Sequence, residues 1–88
     1  MARVALIWDS ANRTDLRNSL ALKGYRVLGV IKEEDAAHTI REHRPQLIVH
    51  PGHRSACVAS MISKANIENG GYSPQLSMLV EPTTSFRL

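Results

Sequence analysis

Short apolar runs alternate with segments of helical periodicity along this chain, and that alternation constrains the fold more than any other feature. The apolar runs cover residues 3–8, 25–31, 46–50 and 76–80. Between them, apolar residues recur at the i, i+3, i+4 spacing of an amphipathic helix. Strands that alternate with helices form parallel β–α–β units, so the sequence predicts an α/β fold with four parallel strands and three helices.

Turn and capping residues mark the ends of the predicted helices. Gly24 ends the first helix, and Pro45 prevents the second from continuing. Ser55 is predicted to be the N-cap of the third helix, which Asn69-Gly70-Gly71 ends. The third apolar run, residues 46–50, is short and continuously apolar, as expected of a strand buried on both faces.

Length and charge limit the classes of protein to which the chain can belong. Its 88 residues predict one domain, with 83–88 as a tail or a short extra strand. The net charge of +3 is a mild excess, and aromatic residues do not interleave with the basic ones, so a nucleic-acid partner is not expected. No apolar run is long enough to span a membrane. The single cysteine, Cys57, excludes an internal disulfide and, with no secretory signal pattern at the start, predicts a cytoplasmic protein.

The first strand and the segments after it carry a distinctive series of residues. The series is Val-Ala-Leu-Ile-Trp-Asp-Ser at 4–10, Arg13, Leu16, Leu20, Gly24-Tyr25-Arg26-Val27, then a helix, Pro45-Gln46-Leu47-Ile48-Val49 and a Pro-Gly turn. It resembles the receiver domain of two-component response regulators over residues 3 to about 81. The resemblance implies a flavodoxin-like, or CheY-like, three-layer sandwich with strand order 2-1-3-4, which the tail extends by at most a short fifth strand.

The same resemblance implies that phosphorylation is lost. A working receiver holds Mg²⁺ on an acidic pair and accepts phosphate on an aspartate. Asp9 matches the first acid, but Ser10 occupies the second position, and Pro51 or His50 occupies the acceptor position. The sequence ends at Leu88, before a full fifth strand and its lysine, so it corresponds to a receiver truncated after the fourth strand. We therefore expect a degenerate receiver whose regulatory function does not depend on phosphorylation.

Polar residues at the ends of the first and third strands leave a ligand site open as an alternative. The carboxyl ends of these strands would share one crevice. Asp9, His50 and His53 are ligand types for Zn²⁺, and Asp9 suits Mg²⁺. Arg54 and Ser55 follow a Pro-Gly turn into a helix N-terminus, a geometry that binds anions such as phosphate. The candidate ligand-binding residues are Asp9, Ser10, His50, His53, Arg54 and Ser55.

The same residues bear on catalysis. His50 or His53 is a candidate to accept a phosphoryl group in a transfer reaction, with Asp9 to orient it. A nucleophile also needs a positioned base and an orienting group, and the spacing of Ser10, Ser55 and Cys57 does not single out such a set. Enzyme activity is therefore not expected.

The fourth predicted strand has no following helix to cover it. An exposed apolar strand edge is a surface for pairing with another chain. Leu76, Met78 and Val80 are the candidate interface residues. The sequence thus favours a protein–protein interaction module that binds a partner protein or a second copy through this edge.

Overall fold

Four parallel strands and three helices form the structure, a computed structural model that describes residues 3–9 and 13–79. In chain order the elements are β1 (Arg3–Trp8), α1 (Thr14–Leu22), β2 (Tyr25–Val30), α2 (Glu33–His43), β3 (Leu47–Pro51), a 3-10 turn (Gly52–Arg54), α3 (Ser55–Glu68) and β4 (Gln75–Leu79). All neighbouring strands pair in parallel, in the order β2-β1-β3-β4. The predicted fold class, a flavodoxin-like α/β layout with strand order 2-1-3-4, is confirmed. Ser10, Val80 and the tail at 83–88 lie outside the described residues.

Helices cover both faces of the sheet, which creates two apolar layers. Leu6, Trp8 and Ile48 pack against α2 and α3 on the face that we call the α2/α3 face. Ala5, Ile7, Leu47 and Val49 pack against α1 on the opposite face, the α1 face. The alternation arises because successive side chains of a strand point to opposite faces. Burial on both sides explains why residues 4–8 of β1 and 47–49 of β3 are continuously apolar.

The helix ends follow local backbone chemistry, with one correction to the sequence analysis. Gly24 has a φ of 91° and donates its N–H to the Ala21 carbonyl at 3.0 Å, as a glycine after a helix does. Ser55 is not an N-cap: it is the first residue of α3, has helical dihedral angles, and donates its hydroxyl to the Gly52 carbonyl at 2.9 Å. The prediction was wrong because the 3-10 turn already places Ser55 in helical conformation, whereas an N-cap needs an extended one.

Across residues 3–9 and 13–79, no helix combines the length and the apolar character needed to cross a membrane.

Candidate functional site

The carboxyl ends of β1 and β3 lie side by side, as predicted, but Asp9 turns towards β2 instead of β3. Its backbone N–H donates to the Val30 carbonyl at 3.1 Å. Asp9 lines an open cavity of about 640 Å³ beyond the ends of β1 and β2, together with the cationic side chains Arg13, Arg17 and Lys32. The cavity is also lined by Asp35, His38 and Thr39 of α2. Neither His50 nor His53 lines it, so this cavity does not bring Asp9 together with the predicted residues at the end of β3.

His50 is buried in the sheet, with 3% of its surface exposed. Its Nδ1 lies 2.8 Å from the Pro51 carbonyl, so Nδ1–H is the donor of this hydrogen bond. His53 lies exposed in the 3-10 turn. Among residues 3–9 and 13–79, no three His, Cys, Asp or Glu side chains are grouped closely enough to hold a metal ion, so Asp9, His50 and His53 do not form such a group.

Arg54 and Ser55, the side-chain donors of the predicted anion site, are both engaged within the chain. The Arg54 guanidinium stacks over the Trp8 ring at 5.0 Å and donates to a Glu33 carboxylate oxygen at 3.1 Å. Ser55 bonds to the carbonyl of the preceding turn, as described above. These contacts tie the 3-10 turn to the first turn of α2 and to the end of β1. Arg54 and Ser55 therefore stabilise the position of the 3-10 turn.

The most exposed apolar feature of the sheet is β4. Within the described part of the chain β4 pairs with β3 alone, so its other side is an open edge. Leu76 is 47% exposed and Met78 is 58% exposed. Both lie on the α2/α3 face, because they pair with Ile48 and His50 in adjacent parallel strands. Of the three predicted interface residues, Leu76 and Met78 are thus placed at an exposed strand edge.

The backbone of β4 presents hydrogen-bonding groups at this edge. The Gln75 N–H donates to the Gln46 carbonyl at 2.8 Å, so the backbone groups of Gln75 point towards β3. Along a strand these groups alternate between the two sides, so those of Ser77 and Leu79 also point inwards. The N–H and C=O groups of Leu76 and Met78 therefore point outwards. Within residues 3–9 and 13–79, the two β4 residues with exposed apolar side chains are the same two whose backbone donors and acceptors have no neighbouring strand.

The composition of β4 does not protect this edge against pairing. Natural edge strands commonly carry charged residues, proline or bulges that discourage another strand from adding. The strand Gln75–Leu79 contains no charged residue, proline or glycine. At the opposite edge of the sheet, β2 carries both Arg26 and Gly29. The β4 edge is therefore the better of the two for strand addition.

A hydrogen-bonded connection that the sequence analysis missed fixes β4 in position. The side-chain amide of Asn66 in α3 donates to the Tyr72 carbonyl and accepts from the Tyr72 N–H, both at 2.8 Å. The Tyr72 hydroxyl donates to the Pro45 carbonyl at 2.7 Å, and the Arg44 guanidinium lies 4.7 Å from the ring centroid. Burial raises the pKa of Tyr72 to about 12, against the opposing effect of the Arg44 charge. The sequence signal was a lone tyrosine after two glycines, which does not identify its distant partners.

The turn after β3 supports the same edge. A Cβ atom built on Gly52 would lie 3.1 Å from the Met78 sulfur, so the Met78 side chain packs directly against this glycine. The absence of a side chain at position 52 leaves space for the methionine. The Met78 side chain thus contacts its own chain at Gly52, while more than half of its surface stays exposed.

Comparisons of the chain with protein-family models, with curated proteins and with solved structures find no match. The candidate site is accordingly defined by its own geometry: an uncharged strand edge, paired with β3, that has two exposed apolar residues.

Proposed function

We propose that this protein is a receiver-like protein–protein interaction module that binds its partner at the open edge of β4, independently of phosphorylation. The observation that carries the proposal is the coincidence at Leu76 and Met78 of exposed apolar side chains with outward-pointing backbone groups. A partner segment in extended conformation would add to the sheet as a fifth strand. Main-chain hydrogen bonds would supply affinity, and contacts with the two side chains would supply specificity.

The position of β4 is fixed before any partner binds. The strand pairs with β3 along its whole length. Asn66 and Tyr72 hold its start, and Gly52 contacts the Met78 side chain. Preorganisation of this kind lowers the conformational entropy lost on binding. The preorganised position of β4 therefore supports a role for its edge as a binding surface.

The polar residues at the strand ends support this proposal over the alternative of a metal or anion binder. Arg54 and Ser55 bond within the chain, and the described residues contain no group suited to a metal ion. Pro51 and His50, at the acceptor position implied by the receiver resemblance, carry no carboxylate to phosphorylate. Regulation by an aspartyl phosphate has no chemical basis at that position.

The proposal is tested by titrating isotope-labelled protein with an acetylated hexapeptide of alternating valine and threonine, which favours an extended conformation. We expect saturable amide shifts along Gln75–Leu79, because the peptide pairs with the outward groups of β4. Met78→Pro removes one outward N–H while leaving the β3–β4 hydrogen bonds intact, and should abolish the shifts. Met78→Leu keeps that N–H and should bind.

Two results would overturn the proposal. The first is saturable shifts confined to another surface. The second is equal binding by the Met78→Pro and Met78→Leu variants, with both folded as judged by circular dichroism.

A further inference from the structure

We infer that the occupant of the β4 edge is a second copy of this chain, paired antiparallel about a two-fold axis that passes through Ser77. The inference rests on the proposed function and names its partner. Three independent features of β4 carry it: the positions of its outward backbone groups, the face on which its apolar side chains lie, and its lack of charge.

The outward backbone groups of β4 are self-complementary. With the axis at Ser77, Leu76 lies opposite Met78 of the second copy, and Met78 lies opposite Leu76 of the second copy. Residues directly opposite each other in an antiparallel pair exchange two hydrogen bonds when their backbone groups face one another. The two pairs therefore use all four outward groups of each strand.

A register with its axis through Leu76, in which the pairing shifts by two residues, satisfies fewer of these groups. An axis through Leu76 would place Met78 opposite Pro74 of the second copy. Proline has no N–H, so it cannot complete the exchange with Met78. Pro74 thus disfavours the register centred on Leu76, whereas the register centred on Ser77 pairs Leu76 with Met78 and keeps every pair within the described strand.

The side chains are complementary in the same register. A two-fold axis perpendicular to the sheet keeps each side chain on its own face. Leu76 and Met78 share the α2/α3 face, so the two copies join their exposed apolar residues into one continuous patch. On the α1 face, the small side chain of Ser77 lies opposite its own copy.

The absence of charge favours a second copy over other partners. Identical strands paired about a two-fold axis bring like charges close together, which is destabilising. Gln75–Leu79 carries no charged side chain, so two copies meet without repulsion. A partner recognised by charge would instead find no complementary group on this strand.

The register is tested by disulfide cross-linking in a Cys57→Ser background, which removes the native thiol. Positions 77 in the two copies would be a non-hydrogen-bonded pair with Cα atoms about 4.5 Å apart, within reach of a disulfide. Ser77→Cys should therefore form a covalent dimer on mild oxidation. Gln75→Cys should not, because the two copies of position 75 would lie about 14 Å apart along the strands.

The surface is tested by sedimentation equilibrium on the full chain. Met78→Lys should raise the dissociation constant of the dimer about tenfold or more, because it introduces a charge into the apolar patch. Ile67→Lys is the matched control: Ile67 is 82% exposed but lies on α3, and this variant should dimerise like the parent. Circular dichroism verifies that both variants fold.

The outcomes separate this inference from the proposed function. A chain that stays monomeric, with no cross-link at Ser77→Cys, overturns the second copy as partner, whereas peptide binding at β4 would leave the proposed function standing. A dimer that Met78→Lys does not weaken overturns the inferred surface. Cross-linking at Ser77→Cys together with loss of the dimer in Met78→Lys supports it.

Discussion

Replacing Tyr72 by phenylalanine removes one oxygen from the connection that leads from α3 into β4. That hydroxyl donates to the Pro45 carbonyl at 2.7 Å, and Pro45 is fully buried. The substitution keeps the ring, its stacking with Arg44 and both backbone bonds to Asn66. It therefore isolates a single hydrogen bond, because the buried carbonyl loses this donor and nothing else changes.

The expected loss follows from the burial of the acceptor. Leaving a buried acceptor without its donor costs about 1–3 kcal/mol, and because Tyr72 is half-buried we expect a loss of about 1–2 kcal/mol in the free energy of unfolding. For a domain of 88 residues, each kcal/mol corresponds to a decrease in Tm of roughly 4–8 °C. Urea denaturation followed by the fluorescence of the buried Trp8 measures this difference.

Tyr25 offers a matched control for this experiment. It is also half-buried, and the Arg3 guanidinium lies 4.4 Å from its ring centroid. Within the described residues its hydroxyl makes no hydrogen bond, so Tyr25→Phe should change the unfolding free energy by less than about 0.5 kcal/mol. Equal losses in the two variants would refute the reasoning, because the effect would then belong to any tyrosine hydroxyl rather than to the bond with Pro45.

The parent protein and Tyr72→Phe should also differ in how their stability depends on pH. The folded pKa of Tyr72 is about 12, above its ordinary value of 10.0. Between these values the unfolded chain releases the tyrosine proton while the folded chain keeps it, so the free energy of unfolding falls as the pH rises. Tyr72→Phe lacks this contribution. The stability difference between the parent and this variant should therefore shrink from pH 9 to pH 11.5, and a constant difference would contradict the raised pKa.

Two further substitutions test the fold itself. Gly24→Ala should cost about 1–2 kcal/mol, since φ is +91° there, whereas Gly70→Ala should be nearly neutral; equal thermal unfolding of the two variants would contradict this explanation. Ile48→Ala should cost about 2–5 kcal/mol in urea denaturation because Ile48 is fully buried in β3. A loss no larger than that of the exposed control Ile67→Ala would show that the packing around β3 is wrongly described.

The strand and helix order was predictable because the same residues supply both the local signal and the core. Ile48 stands in a continuous apolar run and is fully buried between the helix layers. Gly24 stands where a left-handed backbone must end α1. Ser55 was wrongly predicted to be an N-cap because the sequence does not show that a 3-10 turn precedes α3.

The candidate site was predictable only in part, because its decisive contacts join distant segments. The exposed edge at Leu76 and Met78 follows from the strand order alone. The Tyr72 bond to Pro45 spans 27 residues, and Arg54, in the turn after β3, stacks on Trp8 at the end of β1. Those partners depend on the packed structure, so residue spacing gives no means of finding them.

The most direct test of the edge as a binding surface is amide hydrogen exchange along β4. In dilute protein, the amides of Leu76 and Met78 should exchange much faster than those of Ser77 and Leu79, because only the latter bond to β3. At high protein concentration, where the second copy binds, the exchange at Leu76 and Met78 should slow markedly. Strong protection of these two amides in the dilute monomer, or exchange that no concentration changes and no peptide slows, would contradict a binding edge at β4.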